Sequence, residues 1–141
     1  MVYKGKCMCG SVNLEVDGDA MAMMVCHCKI CRSWSASPVC GATLFNPDQL
    51  KITKGKELID QFSLSDGHDR KWCTKCGGHL FTDHRNTYGV IDVYSSILES
   101  FEFKPTAHIN YESTILPIKD GLPKFKDFPI DFGGSGETLE E

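Results

Sequence analysis

The residues best suited to chemistry in this chain are its eight cysteines, seven of which fall in three tight groups: Cys7 with Cys9, then Cys26, Cys28 and Cys31, then Cys73 with Cys76. Cys40 stands alone. Neighbours at C-x-C and C-x-x-C spacing are poorly placed to bridge one another, yet they converge readily on one metal from a tight turn. The spacing therefore predicts metal ligation, with zinc as the metal, rather than a disulfide framework. Thiolates must stay reduced to hold zinc, so the compartment expected is a reducing one, most simply the cytoplasm.

Seven clustered cysteines do not divide into two closed four-thiolate sites; they divide into four plus three. Joining Cys7 and Cys9 to Cys73 and Cys76 would close a long loop, tie the first strand to the middle of the chain and add metal-binding free energy to folding. That is a structural zinc. Cys26, Cys28 and Cys31 remain as a local trio with one position open, the arrangement that a catalytic zinc requires. Three thiolates outweigh the divalent ion, so the site would be a modest Lewis acid that holds a further soft ligand well, best of all another thiolate. The expected substrate is a thiol kept deprotonated and aimed at an electrophile. Two zinc ions per chain follow from this division.

Other side chains near the trio allow two readings each. Cys40 or His27 would make the second site merely structural if either supplied a fourth ligand. His27, lying between two ligands, is expected to point away from a metal that they share, in a supporting or substrate-facing role. Cys40, in an apolar stretch, reads as a small hydrophobe. Arg32 is either a solvated surface residue or a bidentate clamp for a substrate carboxylate. Trp34 and Trp72, each beside a cysteine turn, read as packing around the metal or as a substrate-stacking wall, with Trp34 the candidate for substrate binding. His68, His79, His84 and His108 carry no ligand spacing.

The elements that must position these residues are mostly short strands. "CMCGSVNLEV" alternates apolar Val12, Leu14 and Val16 with polar Asn13 and Glu15, the period of a half-buried strand. "AMAMMVC" is a short apolar run that would deliver Cys26. Val39 to Phe45, Leu50 with Ile52, and Leu58 to Phe62 supply further strands, and "RKWCTKCGGHLFTD" sets a cysteine turn between two more, where Gly77 and Gly78 free the backbone. "YGVIDVYSSI" reads as a central strand. From Ser100 the chain turns irregular, broken by Pro105, Pro117, Pro123 and Pro129 and anchored by scattered apolar residues. The fold class expected is mainly β with little helix: one domain over residues 1–132, followed by a disordered acidic tail over residues 133–141.

Composition narrows the partners. The chain has 141 residues, 41% hydrophobic and 24% charged, with a formal net charge of -4. That leaves no electrostatic footprint for nucleic acid and no basic surface for a membrane. No apolar run approaches the roughly 18 to 20 residues of a membrane span, and no basic-then-apolar leader opens the chain. A small molecule is the expected partner, and a homo-oligomer is compatible with this composition.

"KGKCMCGSV", "CHCKICR" and "WCTKCGGHLF" together resemble, in order and spacing, the glutathione-dependent formaldehyde-activating enzyme family, whose domain is shared with centromere protein V. "VIDVYSSIL", "FKPTAHI" and "DGLPKF" extend the resemblance over roughly residues 3 to 128. It implies an Mss4-like, or β-tent, fold with a structural zinc on Cys7, Cys9, Cys73 and Cys76 and a catalytic zinc on Cys26, Cys28 and Cys31. It also implies carbon-sulfur lyase or synthase chemistry, in which glutathione and formaldehyde condense to S-hydroxymethylglutathione. One stretch, "HINYESTILPI", lacks a tryptophan found in relatives, which bears on the wall of the substrate site. The alternatives are a lyase acting on a different glutathione conjugate and a zinc-stapled binding module without catalysis.

Overall fold

The computed structural model describes residues 1–141. Along the chain run β1 (Val2–Lys6), β2 (Asn13–Asp17), β3 (Ala22–Cys26), helix α1 (Lys29–Ser35), β4 (Cys40–Phe45), β5 (Leu50–Lys54), β6 (Ile59–Ser63), β7 (Asp69–Cys73), β8 (His79–His84), β9 (Val90–Val93), β10 (Ala107–Ile109), β11 (Lys124–Phe125) and β12 (Thr138–Leu139). The fold is mainly β, as the alternating runs predict. The chain divides into two compact units, Met1–Met21 with Thr43–Phe103 and Ala22–Ala42 with Lys104–Glu141. Each unit holds one of the cysteine clusters.

In the first unit, β1, β2 and β5 form an antiparallel sheet in the order β1-β2-β5. The alternation that leads from Val12 into β2 faces Val12, Leu14 and Val16 inward, all essentially unexposed. They pack with Phe45, Leu80, Ile91, Val93 and Leu98 in one apolar cluster. Burying each such side chain contributes about 1.5 to 3 kcal/mol. The cluster also contains Cys7 and Cys73, so two metal-ligand candidates are fixed by the core itself. Strand β9 lies between β4 and β8, and β7 and β6 follow in antiparallel order. The run "VIDV" is thus central, as expected. Gly55 turns the chain between β5 and β6 with φ +76, and a Cβ there would lie 2.1 Å from the Ser11 carbonyl oxygen.

In the second unit, β3 runs parallel to β10, with Ile109 opposite Cys26, and β10 runs parallel to β11, with His108 opposite Lys124. The ladder continues past β3, where the His27 N–H donates to the Ile109 carbonyl at 3.1 Å. Helix α1 then begins directly on the cysteine motif and stops at Ala36, which is in the left-handed region at φ 49 and donates its N–H to the Arg32 carbonyl.

The segment beyond Ser100 is more ordered than its prolines suggest. The prolines lie outside the strands, and Pro123 serves as an acceptor, its carbonyl receiving the His108 N–H at 2.8 Å. Residues 133–141, whose composition predicts disorder, are also placed. Thr138 and Leu139 pair with β11, and the Glu141 carboxylate accepts from the Asp120 N–H, the Gly121 N–H and the Lys124 ammonium at 2.7, 3.1 and 3.1 Å. The acidity of the tail is matched by a buried cation, which composition alone does not reveal.

Candidate metal centres

Two cysteine turns of similar form build the first centre. The Cys7 N–H donates to the Val12 carbonyl while the Gly10 N–H returns to the Cys7 carbonyl; the Cys73 N–H donates to the Gly78 carbonyl while the Gly77 N–H returns to the Cys73 carbonyl. The Sγ atoms of Cys7, Cys9, Cys73 and Cys76 all lie within 4.8 Å of one another. Cys7 and Cys9 are separated by 3.6 Å and Cys9 and Cys73 by 4.0 Å. Four sulfurs at about 2.3 Å from a tetrahedral zinc stand about 3.8 Å apart, so this donor set fits the ion in both type and spacing. Backbone N–H groups also point at the sulfurs, from Val12 to Cys7 at 3.3 Å and from Gly78 to Cys76 at 3.4 Å. Such donors favour thiolates, and the Cys9 thiol is lowered to about 6, first by its hydrogen bond with Ser11.

The second centre forms where β3 gives way to α1. Cys26 ends the strand, Cys28 is the helix N-cap, and Cys31 occupies the first turn. A cysteine in the cap position acts as serine would, its sulfur accepting the Cys31 N–H at 3.2 Å. Cys26 receives a donor from elsewhere in the unit, the Asn110 side-chain amide at 3.5 Å. The three Sγ atoms lie within 4.8 Å of one another. Crowding divides their acidities. Hydrogen bonds from Cys26 and then Cys31 hold the Cys28 thiol far below the usual range, while the Cys28 neighbour pushes Cys26 up to about 11, and Cys26 and Cys28 push Cys31 higher still. Full ionisation of the trio therefore requires a cation, and its donors are of the soft type that zinc accepts.

Neither proposed fourth ligand closes the trio. Cys40 is buried in β4, outside both clusters, with its sulfur 3.7 Å from the Gly41 carbonyl. His27 is 0% exposed and engages both ring nitrogens with protein groups, Nδ1 with Thr114 Oγ1 and Nε2 with His108 Nδ1, each at 2.8 Å. It has no lone pair left for a metal. The ring turns into the protein, where its partners suit the supporting role of the two expected for His27. Arg32 donates from Nε to the His27 carbonyl and from Nη2 to the Ser113 carbonyl, both at 3.1 Å, so it staples backbone around the turn. Trp34 stands half-buried on α1.

Several residues around the trio carry no signal in local spacing. Asn110, Thr114, His108 and Asp120 lie far along the chain from the cysteine turn, and the parallel pairing of β3 with β10 brings that part of the chain to it. Lys124 is 1% exposed, held by Asp120, Glu141 and the Leu122 carbonyl. The motifs "FKPTAHI" and "DGLPKF" contain three of these residues and were the available clue. No helix is long and apolar enough to cross a membrane.

Comparison with known proteins accords with this geometry. An uncharacterized lyase of Schizosaccharomyces pombe is 25% identical over 129 residues, spanning 89% of this chain and 85% of its own length. A crystal structure of a Rhodobacter sphaeroides protein matches with a TM-score of 0.59 at 23% identity, covering 70% of this chain and 90% of that one, a likeness of fold. The sequence profile described as glutathione-dependent formaldehyde-activating enzyme matches residues 2–113. With the cysteine groups of all three motifs assembled in space as two clusters, the chain belongs to the glutathione-dependent formaldehyde-activating enzyme family.

Proposed function

We propose that this protein is a zinc-dependent carbon-sulfur lyase or synthase that joins a thiol, with glutathione as the expected one, to a small aldehyde. The observation that carries the reading is the difference between the two clusters: four sulfurs gather in one and three in the other, and neither Cys40 nor His27 makes up the fourth. Membership of the family and the lyase from Schizosaccharomyces pombe support the reaction class.

When bound by Cys26, Cys28 and Cys31, zinc supplies a cation with one position for a soft ligand and keeps that ligand ionised at neutral pH. The residues of the chain hold the geometry. Cys28 caps the helix, the Asn110 amide steadies Cys26, and Arg32 ties the turn to Ser113. In the synthetic direction the thiol sulfur bonds to the carbonyl carbon, the C=O π bond opens onto oxygen, and that oxygen gains the proton the thiol gave up. No redox partner is needed. Formaldehyde adds to thiols unaided, so proximity suffices for the acceleration. Cys7, Cys9, Cys73 and Cys76 serve as the structural zinc site, and Trp34 serves as a wall beside the trio. A small-molecule thiol is the partner, and the free cysteines suit a reducing cytoplasm.

One observation favours the rival reading, a zinc-stapled binding module: His27 and Arg32, each adjacent to a cysteine of the trio, are both committed to protein groups. Zinc stoichiometry with X-ray absorption at the zinc edge, with and without glutathione, separates the two. Two zincs per chain that gain sulfur on addition of glutathione are expected. A sulfur count unchanged by glutathione would overturn the catalytic reading in favour of the module.

A further inference from the structure

His27 is held more completely than any purely packed residue requires. Its N–H donates to the Ile109 carbonyl, its carbonyl accepts from Arg32 Nε, and both ring nitrogens have partners. The ring partners continue as a chain. His27 Nε2 meets His108 Nδ1 at 2.8 Å, and His108 Nε2 meets Asp120 Oδ2 at 2.7 Å. At the other end Thr114 Oγ1 meets His27 Nδ1 at 2.8 Å and accepts the Leu116 N–H at 3.2 Å.

Donor and acceptor bookkeeping gives this chain one direction. A carboxylate only accepts, so the hydrogen between Asp120 and His108 sits on His108 Nε2. With one hydrogen per ring, His108 Nδ1 is the acceptor and His27 donates from Nε2. His27 Nδ1 is left as the acceptor, and the Thr114 hydroxyl donates to it. Both rings are shut away from water. Each is 0% exposed, and the Lys124 ammonium beyond Asp120 is shared between Asp120 Oδ1 at 2.5 Å and Glu141 Oε2 at 3.1 Å. Arg32 lies against the His27 carbonyl and adds a second fixed positive charge. Tyr111 packs edge-on against His27, ring centroids 4.8 Å apart, and Lys124 stands 5.9 Å over the Tyr111 ring.

We infer that Thr114, His108 and Asp120 are positioning residues for the cysteine trio: their hydrogen bonds hold the His27 ring in one orientation and one tautomer, with its hydrogen on Nε2, and thereby fix the backbone that carries Cys26 and Cys28. Three crowded thiolates repel, and a turn free to spread would lose the spacing that a metal needs. Partners that orient a metal site from outside its ligands are typically worth 10- to 100-fold in metal affinity. The tautomer assignment stands on the hydrogen bonds with one hydrogen per ring, whereas the consequence for metal affinity rests on the metal reading proposed above.

Nitrogen-15 NMR of the full-length metal-loaded protein tests the first part. His27 and His108 are each expected to carry one ring hydrogen, on Nε2; an imidazolium His108, or either ring protonated on Nδ1 alone, overturns the inference. Competition for the second metal tests the rest. Thr114→Val removes the hydroxyl while keeping the shape, and is expected to weaken the second metal by about tenfold. Thr114→Ser keeps the hydroxyl and is expected to restore it, with the first metal unaffected in both. Asp120→Ala is expected to act in the same direction as Thr114→Val. Unchanged affinity in both Thr114→Val and Asp120→Ala overturns the positioning role. A wild-type protein that binds only one metal sinks the function proposed above but leaves the tautomers to be judged by NMR.

Discussion

Cys28 Sγ accepts the backbone N–H of Cys31 at 3.2 Å, so one thiol both caps helix α1 and belongs to the trio. Serine is among the best N-cap residues, whereas it is a poor substitute for a zinc thiolate. The substitution Cys28→Ser should therefore separate the two duties. The melting temperature is expected to stay near that of wild type, because the cap survives. Zinc content is expected to fall from two to one per chain and glutathione affinity by at least about tenfold, or ~1.4 kcal/mol. Calorimetric titration with glutathione measures this, and wild-type affinity in the variant would count against a catalytic metal.

How far the site could be read from sequence depends on the range of the contacts involved. Alternation in Val12, Leu14 and Val16 fixes β2 without reference to anything distant: Leu14 and Val16 are its buried face, and Val12, just before it, is buried too. The division of the cysteines into four and three follows from spacing, because ligands that share a turn must be close neighbours in sequence. Helix α1 was not legible as a helix. It has seven residues, and its cap is a cysteine rather than serine, aspartate or asparagine. His27 and His108 were still less so, since they are 81 positions apart and meet only through a parallel strand pair. The same is true of Lys124, whose burial depends on Asp120 and Glu141 being folded around it.

Gly77 and Gly78 were expected to serve one purpose, and the structure gives them two. Gly77 has φ +75 with open space around it, so Gly77→Ala incurs only the left-handed backbone cost of about 1 to 2 kcal/mol. Gly78 has no such φ, but a Cβ there would lie 3.2 Å from Cys76 Sγ and 3.3 Å from the Met8 nitrogen. Gly78→Ala is expected to press on the cluster and weaken the first metal by about tenfold or more. Chelator competition on the two variants checks this. Stronger metal loss from Gly77→Ala than from Gly78→Ala would reverse the assignment.

Cys73 is 0% exposed and belongs both to the apolar cluster and to the four-sulfur group. A structural zinc supplies about 10 to 16 kcal/mol of binding free energy, comparable to the roughly 5 to 15 kcal/mol by which whole domains are stable. Cys73→Ser is therefore expected to unfold the chain, or nearly so, at room temperature. Circular dichroism melting measures this directly. A cooperative transition at the wild-type temperature would remove the four-plus-three division, and with it the open trio.

His68 Nδ1 and His84 Nδ1 lie 2.8 Å apart, which leaves room for one hydrogen between them and none for two charges. Burial first, and then the charge of His68, lowers His84 to about 4. An unfolded histidine titrates near 6.5, so between those values the unfolded chain binds more protons than the native one. Stability must therefore fall as the pH drops through the window from 6.5 to 4, with no contribution from this group above it. The slope due to one proton is at most about 1.4 kcal/mol per pH unit. Protonation of the cysteine clusters also destabilises the native state in acid, so the informative quantity is a difference. Urea unfolding of wild type and His84→Gln, compared at pH values within and above the window, isolates it. The variant is expected to lose less stability on acidification than wild type. Parallel curves would mean that His84 takes up its proton as readily in the native state as in the unfolded one.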